Sequence, residues 1–416
     1  MSEQTALLPI RTATPETVRA FMAPPMAAFG EELTDAEFEE WNHLLEPDRL
    51  IAAFDGETPI GTAGAYTFRM TVPGGEVAAA GVTVVGVEPG HRRRGVLRSL
   101  MRRQLDDVRG RGEPLAILWA SESAIYQRFG YGLGTLSGSF EIERGRTAWL
   151  RPWEPEGRLR LVDAAEALAT FPPVYEQTRV VTPGALSRTE TWWQWGILHD
   201  AEHMRRGAGP KFRYLCEVDG VAEGYAIYRS KGEWDERGPK GQVLVAEAMA
   251  VTPRAERAVW DFLFGIDLMR STKAGRVVVP HPLQLTLADP RALGLTVGDG
   301  LWVRLVDLPA ALTARRYGET GTLVLEVADA FCPWNAGRWR LAASAEPGRA
   351  TATVERTDAP ADLSLDVVDL GAAYLGAFRL SELARAGRVE GLIPGALRRA
   401  DVLFSSDRAP WCATMF

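Results

Sequence analysis

The sequence has few cysteines, no long apolar run and no excess of basic charge, and each shortage excludes a class of protein. Its three cysteines, Cys216, Cys332 and Cys412, lie far apart in 416 residues. Such a set predicts neither a disulfide framework nor a zinc knuckle and is typical of a reducing cytoplasm. No uncharged stretch approaches the roughly 18 apolar residues that a transmembrane helix needs, so we expect no membrane span.

The charge balance and the first residues exclude two further classes. There are 47 Lys and Arg residues against 54 Asp and Glu residues, a net charge of −7. A protein that coats nucleic acid needs a basic surface, whereas an acidic protein is compatible with a cationic partner. The sequence begins Met1-Ser2-Glu3-Gln4, without a basic segment or an apolar core, so we predict no secretory signal and a cytoplasmic location.

What is present is an ordinary globular composition, with 46% hydrophobic and 24% charged residues. The length predicts two to three domains, which we place at residues 1–155, 156–295 and 296–416.

In the first domain, helices are predicted to begin at Thr14-Pro15-Glu16 and at Thr34-Asp35-Ala36-Glu37. Residues 50–54 and 60–72 are predicted strands, and residues 77–87, rich in Val and Ala, predict a strand buried on both faces.

A strand, a loop, a helix and a strand then follow one another. Residues 90–94 predict a loop, and the apolar residues between 96 and 108 recur at helical spacing. Residues 115–120 predict another buried strand, followed by a short helix that stops at Gly130. The second domain contains a weak internal repeat of this pattern. Val87-Glu88-Pro89 and Val251-Thr252-Pro253 both join a predicted strand to a predicted helix, and the helix after Pro253 is predicted at 254–269. Chance similarity is the alternative.

The Arg-rich loop predicts an anion site. A helix N-terminus presents unpaired N–H groups and a partial positive charge, and Gly95 lets a bulky phosphate approach the backbone. Arg94, Arg98 and Arg102 are four residues apart and share one helix face, where they would meet further phosphates. The alternative is a solvated basic face.

This loop resembles the coenzyme A-binding motif of the GNAT acyltransferases, Q/R-x-x-G-x-G/A. It reads Arg92-Arg93-Arg94-Gly95-Val96-Leu97, with Leu97 where Gly or Ala is usual. Downstream, Ala120-Ser121-Glu122-Ser123-Ala124-Ile125-Tyr126-Gln127-Arg128-Phe129-Gly130-Tyr131-Gly132 resembles a signature of the Eis (enhanced intracellular survival) branch of that superfamily. Residues 300–312 and the terminal Phe416 are also typical of that branch.

The resemblance implies a mixed α+β fold with tandem GNAT-like domains, the second one degenerate, and a C-terminal sterol-carrier-protein-like α+β domain. It implies acetyl-CoA as cosubstrate, no metal, and an amine of a cationic small molecule such as an aminoglycoside as acceptor. It also implies a homohexamer. Together with the charge balance, it predicts no nucleic-acid partner.

The resemblance also assigns residues to the cosubstrate. The backbone at Val85, Gly86 and Val87 would pair with the pantetheine arm, and Ser121 and Glu122 would lie near it. The pyrophosphate would be held by the loop and the first helical turn, namely Arg93, Arg94, Gly95, Val96, Leu97 and Arg98. A strand N–H aimed at the thioester oxygen would stabilise the developing oxyanion.

Two residues would carry the chemistry. Tyr126 would be the general acid that protonates the departing thiolate, and the α-carboxylate of Phe416 would be the general base. For Tyr126 the alternative is a core aromatic packed with Phe129 and Tyr131. For Phe416 it is a frayed terminus, the usual state of chain ends. Met415 replaces an acidic residue of some relatives, which weakens the attraction for a cation.

Two aromatic residues are predicted at the substrate, and one metal-like motif is set aside. Phe29 and Trp41 would line the substrate pocket, where a cationic amine can lie over an aromatic ring, and core packing is the alternative. His199-Asp200-Ala201-Glu202-His203 has the histidine spacing of a zinc helix but Asp at its second position and no third ligand. We interpret it as an exposed polar helix.

The predicted function is therefore acetyl-CoA-dependent N-acetylation of a cationic amine. Two alternatives stay open at this point. The same machinery would also serve a protein-lysine or polyamine acetyltransferase. The second alternative is a binding protein and not an enzyme: it would bind an apolar ligand and keep a vestigial GNAT domain.

Overall fold

The computed structural model describes residues 8–154, 156–345 and 351–416. Up to Thr135, a short strand and three short helices are followed by three strands, and then by a helix, a strand, a short helix and a strand. The strands and helices of this first stretch are β1 (Ile10–Thr12), α1 (Val18–Phe21), α2 (Ala23–Phe29), α3 (Asp35–Asn42), β2 (Ile51–Asp55), β3 (Thr58–Val72), β4 (Gly75–Val87), α4 (Val96–Gly110), β5 (Leu115–Trp119), α5 (Ser123–Tyr126) and β6 (Gly132–Leu133).

Local hydrogen bonds explain one correct and one wrong helix start. Helix α3 begins at Asp35 because Thr34 and Glu37 form a reciprocal capping box. The start predicted at Thr14-Pro15-Glu16 is wrong, since α1 begins only at Val18. The Thr14 carbonyl accepts hydrogen bonds from the Thr17 and Val18 N–H groups, which makes a turn ahead of the helix.

The second stretch contains mostly strands. Its elements are β7 (Leu136–Glu143), β8 (Gly157–Leu161), α6 (Ala164–Arg179), β9 (Phe212–Val218), β10 (Val221–Lys231), β11 (Trp234–Asp235), β12 (Gly238–Pro239), β13 (Gly241–Ala250), α7 (Pro253–Gly265), β14 (Met269–Val277), α8 (Leu283–Thr286) and β15 (Thr296–Asp299). The helix predicted at 254–269 ends at Gly265, because Met269 already pairs with Gly241 in β14.

The third stretch completes the chain. Its elements are β16 (Leu301–Leu305), α9 (Leu308–Ala314), β17 (Gly321–Ala328), β18 (Gly337–Ser344), β19 (Thr351–Arg356), β20 (Leu363–Asp366), α10 (Val367–Ala373), α11 (Leu380–Arg385), β21 (Val389–Gly391) and α12 (Ala396–Leu403). Asp307 caps α9 through its carboxylate, and Asp366 and Asp369 form a capping box at α10.

These elements form two compact units. Unit 1 contains residues up to 135 together with 301–407 and 414–416, and unit 2 contains residues 136–300 and 408–413. Unit 1 holds a seven-stranded sheet in the order β1-β2-β3-β4-β5-β16-β6 and a five-stranded sheet in the order β19-β18-β17-β20-β21. Unit 2 holds a seven-stranded sheet in the order β15-β7-β14-β13-β10-β9-β8.

The sheets do not divide at the predicted domain limits of 155 and 295. Strand β7, placed by sequence in the first domain, pairs with β14 in the sheet of unit 2. Strand β16, placed in the third domain, lies between β5 and β6 in the first sheet. Strand pairing decides which sheet a segment joins, and proximity along the chain is a poor guide to it.

Each seven-stranded sheet contains a parallel pair that separates. In the described chain, β4 pairs with β5 only from Ala79 to Gly81, although β4 continues to Val87. Strand β13 pairs with β14 only as far as Val245, although β13 continues to Ala250. Helices α4 and α7 connect the two strands of each pair. Each of the two seven-stranded sheets is therefore open at the carboxyl ends of its parallel strands.

Candidate active site

The Arg-rich loop follows β4 in unit 1. A short 3₁₀ turn at Pro89–His91 leads into it, and the His91 Nδ1 atom lies 2.5 Å from a Glu88 carboxylate oxygen. Gly95 has φ +84° and begins α4 without any side-chain cap. No side chain of the N-cap residue therefore caps the first N–H groups of α4, and the loop before them is exposed, so an anion can bind there.

The arginines of this helix do not all face the loop. The Arg102 guanidinium lies 4.1 Å from the centre of the Phe331 ring, and the Arg98 guanidinium lies 5.6 Å from it. Arg102 is also 3.8 Å from the Cys332 thiol. Both guanidinium groups therefore lie beside the Phe331 ring, and a contact of Arg102 with a phosphate stays a prediction. Arg93 and Arg94 are exposed in the loop itself.

The end of β4 presents one unpaired edge. Gly86 and Val87 pair with Thr62 and Gly61 of β3 on one side, whereas the side toward β5 has no strand partner among the described residues. Backbone N–H and C=O groups on that side can accept an extended ligand. A Cβ atom on Gly86 would lie 2.4 Å from the Pro25 Cα atom, so this glycine lets α2 pack against β4.

Helix α2 also reaches the Arg-rich loop. The Arg92 Nη2 atom donates to the Ala28 carbonyl at 3.4 Å. Phe29, the last residue of α2, is therefore next in the chain to a residue that contacts the loop. Phe29 is 52% exposed and Trp41 37% exposed, so both residues present part of their side chains to solvent.

Tyr126 closes α5 at the end of the strand-helix turn after β5. Its side chain is buried, and its ring makes an edge contact with Tyr131 at 6.0 Å between centroids. Burial, with a smaller effect from the Glu122 carboxylate, raises the pKa of Tyr126 to about 12. Ser121 and Glu122 are exposed. Tyr126 therefore combines a core position with a phenol that stays protonated at neutral pH.

The last three residues belong to unit 1 and are not frayed. Thr414 is fully buried, and its carbonyl accepts a hydrogen bond from the Trp119 indole Nε1 at 3.0 Å. The Phe416 ring lies 5.2 Å from the Phe68 ring between centroids. A Cβ atom on Gly81 would come within 3.1 Å of the Phe416 ring, so the terminus lies where β4 and β5 stop pairing.

Only the last three residues of the C-terminal segment belong to unit 1, because residues 408–413 belong to unit 2. Sequence reasoning missed three residues that hold the terminus, Trp119, Phe68 and Gly81. A glycine inside an apolar strand often marks a close approach, so Gly81 was detectable. Nothing in the sequence distinguishes Phe68.

The two-histidine motif is not on a helix. A π-helix at Trp192–Leu198 ends before His199, and a 3₁₀ turn begins only at His203. The Asp200 carboxylate is paired with Arg205 and Arg229. The exposed polar helix that we predicted is therefore wrong. A search of the described residues finds no group of three His, Cys, Asp or Glu side chains that could hold a metal, and no helix long and apolar enough to cross a membrane.

Comparison with known proteins agrees with this arrangement. Residues 9–134 and 184–305 each match a family model described as an acetyltransferase (GNAT) domain, and residues 308–413 match a sterol carrier protein domain. An uncharacterised N-acetyltransferase of Streptomyces avermitilis is 46% identical over 92% of this chain and 93% of its own. The N-acetyltransferase Eis of Mycobacterium tuberculosis is 36% identical over 92% of both chains.

A solved structure agrees over nearly the whole length. Eis1 of Mycobacterium abscessus superposes with a TM-score of 0.83 at 35% identity, covering 98% of this chain and all of that one. The separated strand pair, the uncapped glycine at α4 and these matches define a GNAT N-acetyltransferase with a second GNAT domain and a sterol-carrier-like domain. The chain belongs to the Eis family of these enzymes.

Proposed function

We propose that unit 1 transfers the acetyl group of acetyl-CoA directly to an amine of a cationic small molecule, such as an aminoglycoside. The observation that carries this proposal is the hydrogen bond from Trp119 to Thr414. It holds the C-terminus at the end of β5, two residues before the Ser121–Tyr126 segment. This contact supports the proposal that a carboxylate and a phenol act at the same end of the separated strands.

The surroundings of the open strand edge fit acetyl-CoA. The unpaired edge of β4 at Val85 and Val87 suits the amide groups of the pantetheine arm. The loop at Arg93, Arg94 and Gly95, with the uncapped start of α4, suits a pyrophosphate, because exposed N–H groups and a partial positive charge favour anions. Arg98, Val96 and Leu97 line the first turn behind it. The thioester supplies the activated acetyl group.

Tyr126 has the protonation state that a general acid needs. A phenol with a pKa of about 12 is protonated throughout the physiological range. Transfer of its proton to a free thiolate with a pKa near 8.5 is uphill by roughly 5 kcal/mol. The proton is donated as the C–S bond breaks and negative charge develops on the sulfur, which becomes fully basic only when the thiolate has left.

We propose that the Phe416 α-carboxylate binds the amine substrate and serves as its general base. An α-carboxyl with a pKa near 3.5 is a weak base toward an ammonium near 10. It therefore acts by orienting the ammonium and by passing its proton through water. Phe29 and Trp41 carry exposed rings that suit a cation, and the net charge of −7 favours a cationic partner.

The raised pKa of Tyr126 gives a prediction for the pH profile. A phenol at its ordinary pKa would lose half of its protons near pH 10, whereas Tyr126 keeps its proton until about 12. We expect kcat at saturating amine to show no falling limb between pH 7 and about 10. A falling limb in that range that disappears in Tyr126→Phe would show that Tyr126 loses its proton at a lower pH and would contradict the raised pKa.

Trp119 gives a second prediction. Trp119→Phe removes the indole N–H and leaves the Thr414 carbonyl buried without that partner, at a cost of about 1–3 kcal/mol in tail docking. We expect kcat to fall roughly tenfold or more while the Kd for acetyl-CoA stays unchanged. Faster hydrogen exchange at residues 414–416 should accompany the loss. An undocked tail with full activity would rule out the role of the terminus.

The acceptor is tested by measuring thiol release from acetyl-CoA with aminoglycosides, polyamines and lysine peptides. The proposal predicts release with aminoglycosides above the other two classes. Thiol release with only lysine peptides or only polyamines would show that this class is the acceptor in place of aminoglycosides, and the proposed transfer chemistry would still hold. No release with any amine would contradict the transferase itself and would favour a vestigial GNAT domain. A homohexamer and a cytoplasmic location stay predictions from the resemblance and the composition.

A further inference from the structure

Unit 2 contains a cavity of about 390 Å³ at the open end of its own strand pair. Small-molecule pockets begin at about 300 Å³. The cavity lies beside β13 beyond Val245, where that strand has separated from β14. Its walls are mostly apolar, and they include Met249, Val259, Trp260, Val277, Trp411 and Ala413.

One wall is a fixed part of the C-terminal segment. The Trp411 indole N–H donates to the Arg276 carbonyl at 2.7 Å, and the Trp411 backbone N–H donates to the Pro183 carbonyl at 2.8 Å. Both partners lie in unit 2. The Trp411 side chain is thereby held at the cavity, and the space is built into the fold.

The cavity does not suit a coenzyme A pyrophosphate. The Thr252 hydroxyl caps α7 by accepting from the Ala255 N–H at 3.3 Å, so the anion-binding position that is open at Gly95 is filled here by a side chain. Arg254, the first arginine after the strand, is paired with Glu223 and Asp219. The second GNAT domain therefore keeps the open strand pair and has lost the phosphate loop.

Most polar groups in the cavity wall already have partners. The Glu247 carboxylate is held by both terminal nitrogens of Arg188 and by the Tyr225 hydroxyl. Thr178 and Thr182 donate their hydroxyls to carbonyls of the preceding helical turn. His281 accepts from the Leu283 N–H through Nδ1, and its burial lowers its pKa to about 4, so it is neutral.

Glu256 is different. Its carboxylate lies in the cavity wall one helical turn before Trp260, and within the described part of the chain no hydrogen bond or ion pair to it is found. Burial alone raises its pKa, with no basic group contributing. Arg276 and Arg408 also line the cavity and are exposed, and the Arg276 charge lowers the pKa of the Glu247 carboxyl, whereas neither arginine contributes to the pKa of Glu256. A desolvated carboxylate without a counter-ion is best compensated by a cation.

We propose that this cavity is a second ligand site, which binds a small apolar primary amine with its ammonium on Glu256 and its apolar body against Trp260 and Trp411. The site is separate from the acetyl-transfer site of unit 1 and does not depend on the function proposed there. A site with mostly apolar walls and one carboxylate that no described residue pairs with selects for a compact ligand with one positive charge.

The test uses the full chain and three matched probes, 2-phenylethylamine, 2-phenylethanol and 3-phenylpropionate. Binding is measured by calorimetry and by tryptophan fluorescence. We expect the amine to bind at least about tenfold more tightly than the alcohol, and Glu256→Gln to weaken amine binding by about tenfold, since a charge-assisted hydrogen bond is lost. Glu202→Gln removes an exposed carboxylate in unit 2 and should leave binding unchanged.

A crystal structure of the wild-type protein with the amine gives an answer that does not rely on a variant folding. The ammonium should lie about 3 Å from the Glu256 carboxylate. Amine found only in unit 1, amine affinity that is the same in Glu256→Gln, or tighter binding of 3-phenylpropionate would each overturn the proposal. These outcomes leave thiol release in unit 1 untouched, so the two proposals can fail separately.

Discussion

Adding two glycines after Phe416 is expected to lower kcat by about 10²-fold or more, the usual contribution of a positioned acid or base. The extension moves the α-carboxylate away from the point where β4 and β5 separate. Thr414 is fully buried and bound to Trp119, so the tail cannot slide back to compensate. The Kd for acetyl-CoA should change little, because the extension leaves the Arg-rich loop and the edge of β4 intact.

A matched control separates the carboxylate from a general disturbance of the tail. Met415→Ala shortens a side chain that is 56% exposed and keeps the terminal carboxylate in place. We expect it to retain most of the activity. Steady-state thiol release, with acetyl-CoA binding measured in parallel, gives the comparison. Full turnover in the extended enzyme would exclude the terminal carboxylate from the reaction.

Tyr126→Phe is expected to lower kcat by about 10²-fold with the fold intact. The hydroxyl that is lost is the proposed proton donor to the departing thiolate. No described residue makes a hydrogen bond to this hydroxyl, so its removal should change the free energy of unfolding by less than about 0.5 kcal/mol. The measurement is single-turnover acetyl transfer, with thermal unfolding as the check on the fold.

Tyr131→Phe is the control for that variant. Tyr131 is fully buried beside Tyr126, and its hydroxyl has no hydrogen-bond partner in the described residues. Its removal should leave activity unchanged and should maintain or increase stability, since an unsatisfied buried hydroxyl is unfavourable. Equal losses of activity in the two variants would indicate that Tyr126 acts only through packing.

Much of the fold was predictable because local signals and strand pairing agree there. The buried strand at β4, the helix at α4 and the capping box at Thr34 all follow from apolar spacing and capping chemistry. The placement of β16 was not predictable, because its own sequence is that of any buried strand. Its position between β5 and β6 is decided by long-range pairing.

The candidate site divides in the same way. The anion site at Arg93 and Gly95 was inferred from residue type and the helix start, whereas the role of Tyr126 was implied by the family resemblance, and both stay predictions. The exposure of Phe29 and Trp41 could not be inferred, because the same helical spacing serves a core and a pocket equally well. The hydrogen bond from Trp119 to Thr414 joins residues 295 positions apart, and only the folded chain brings them together.

The proposed reaction requires acetyl-CoA to lie between the separated strands of unit 1. A crystal structure of the acetyl-CoA complex tests this directly. We predict the pantetheine arm along Val85–Val87, the pyrophosphate at Arg93–Gly95, and the thioester beside the Tyr126 hydroxyl and the Phe416 carboxylate. Acetyl-CoA bound in unit 2, or in unit 1 with its thioester remote from Tyr126 and Phe416, would contradict the account.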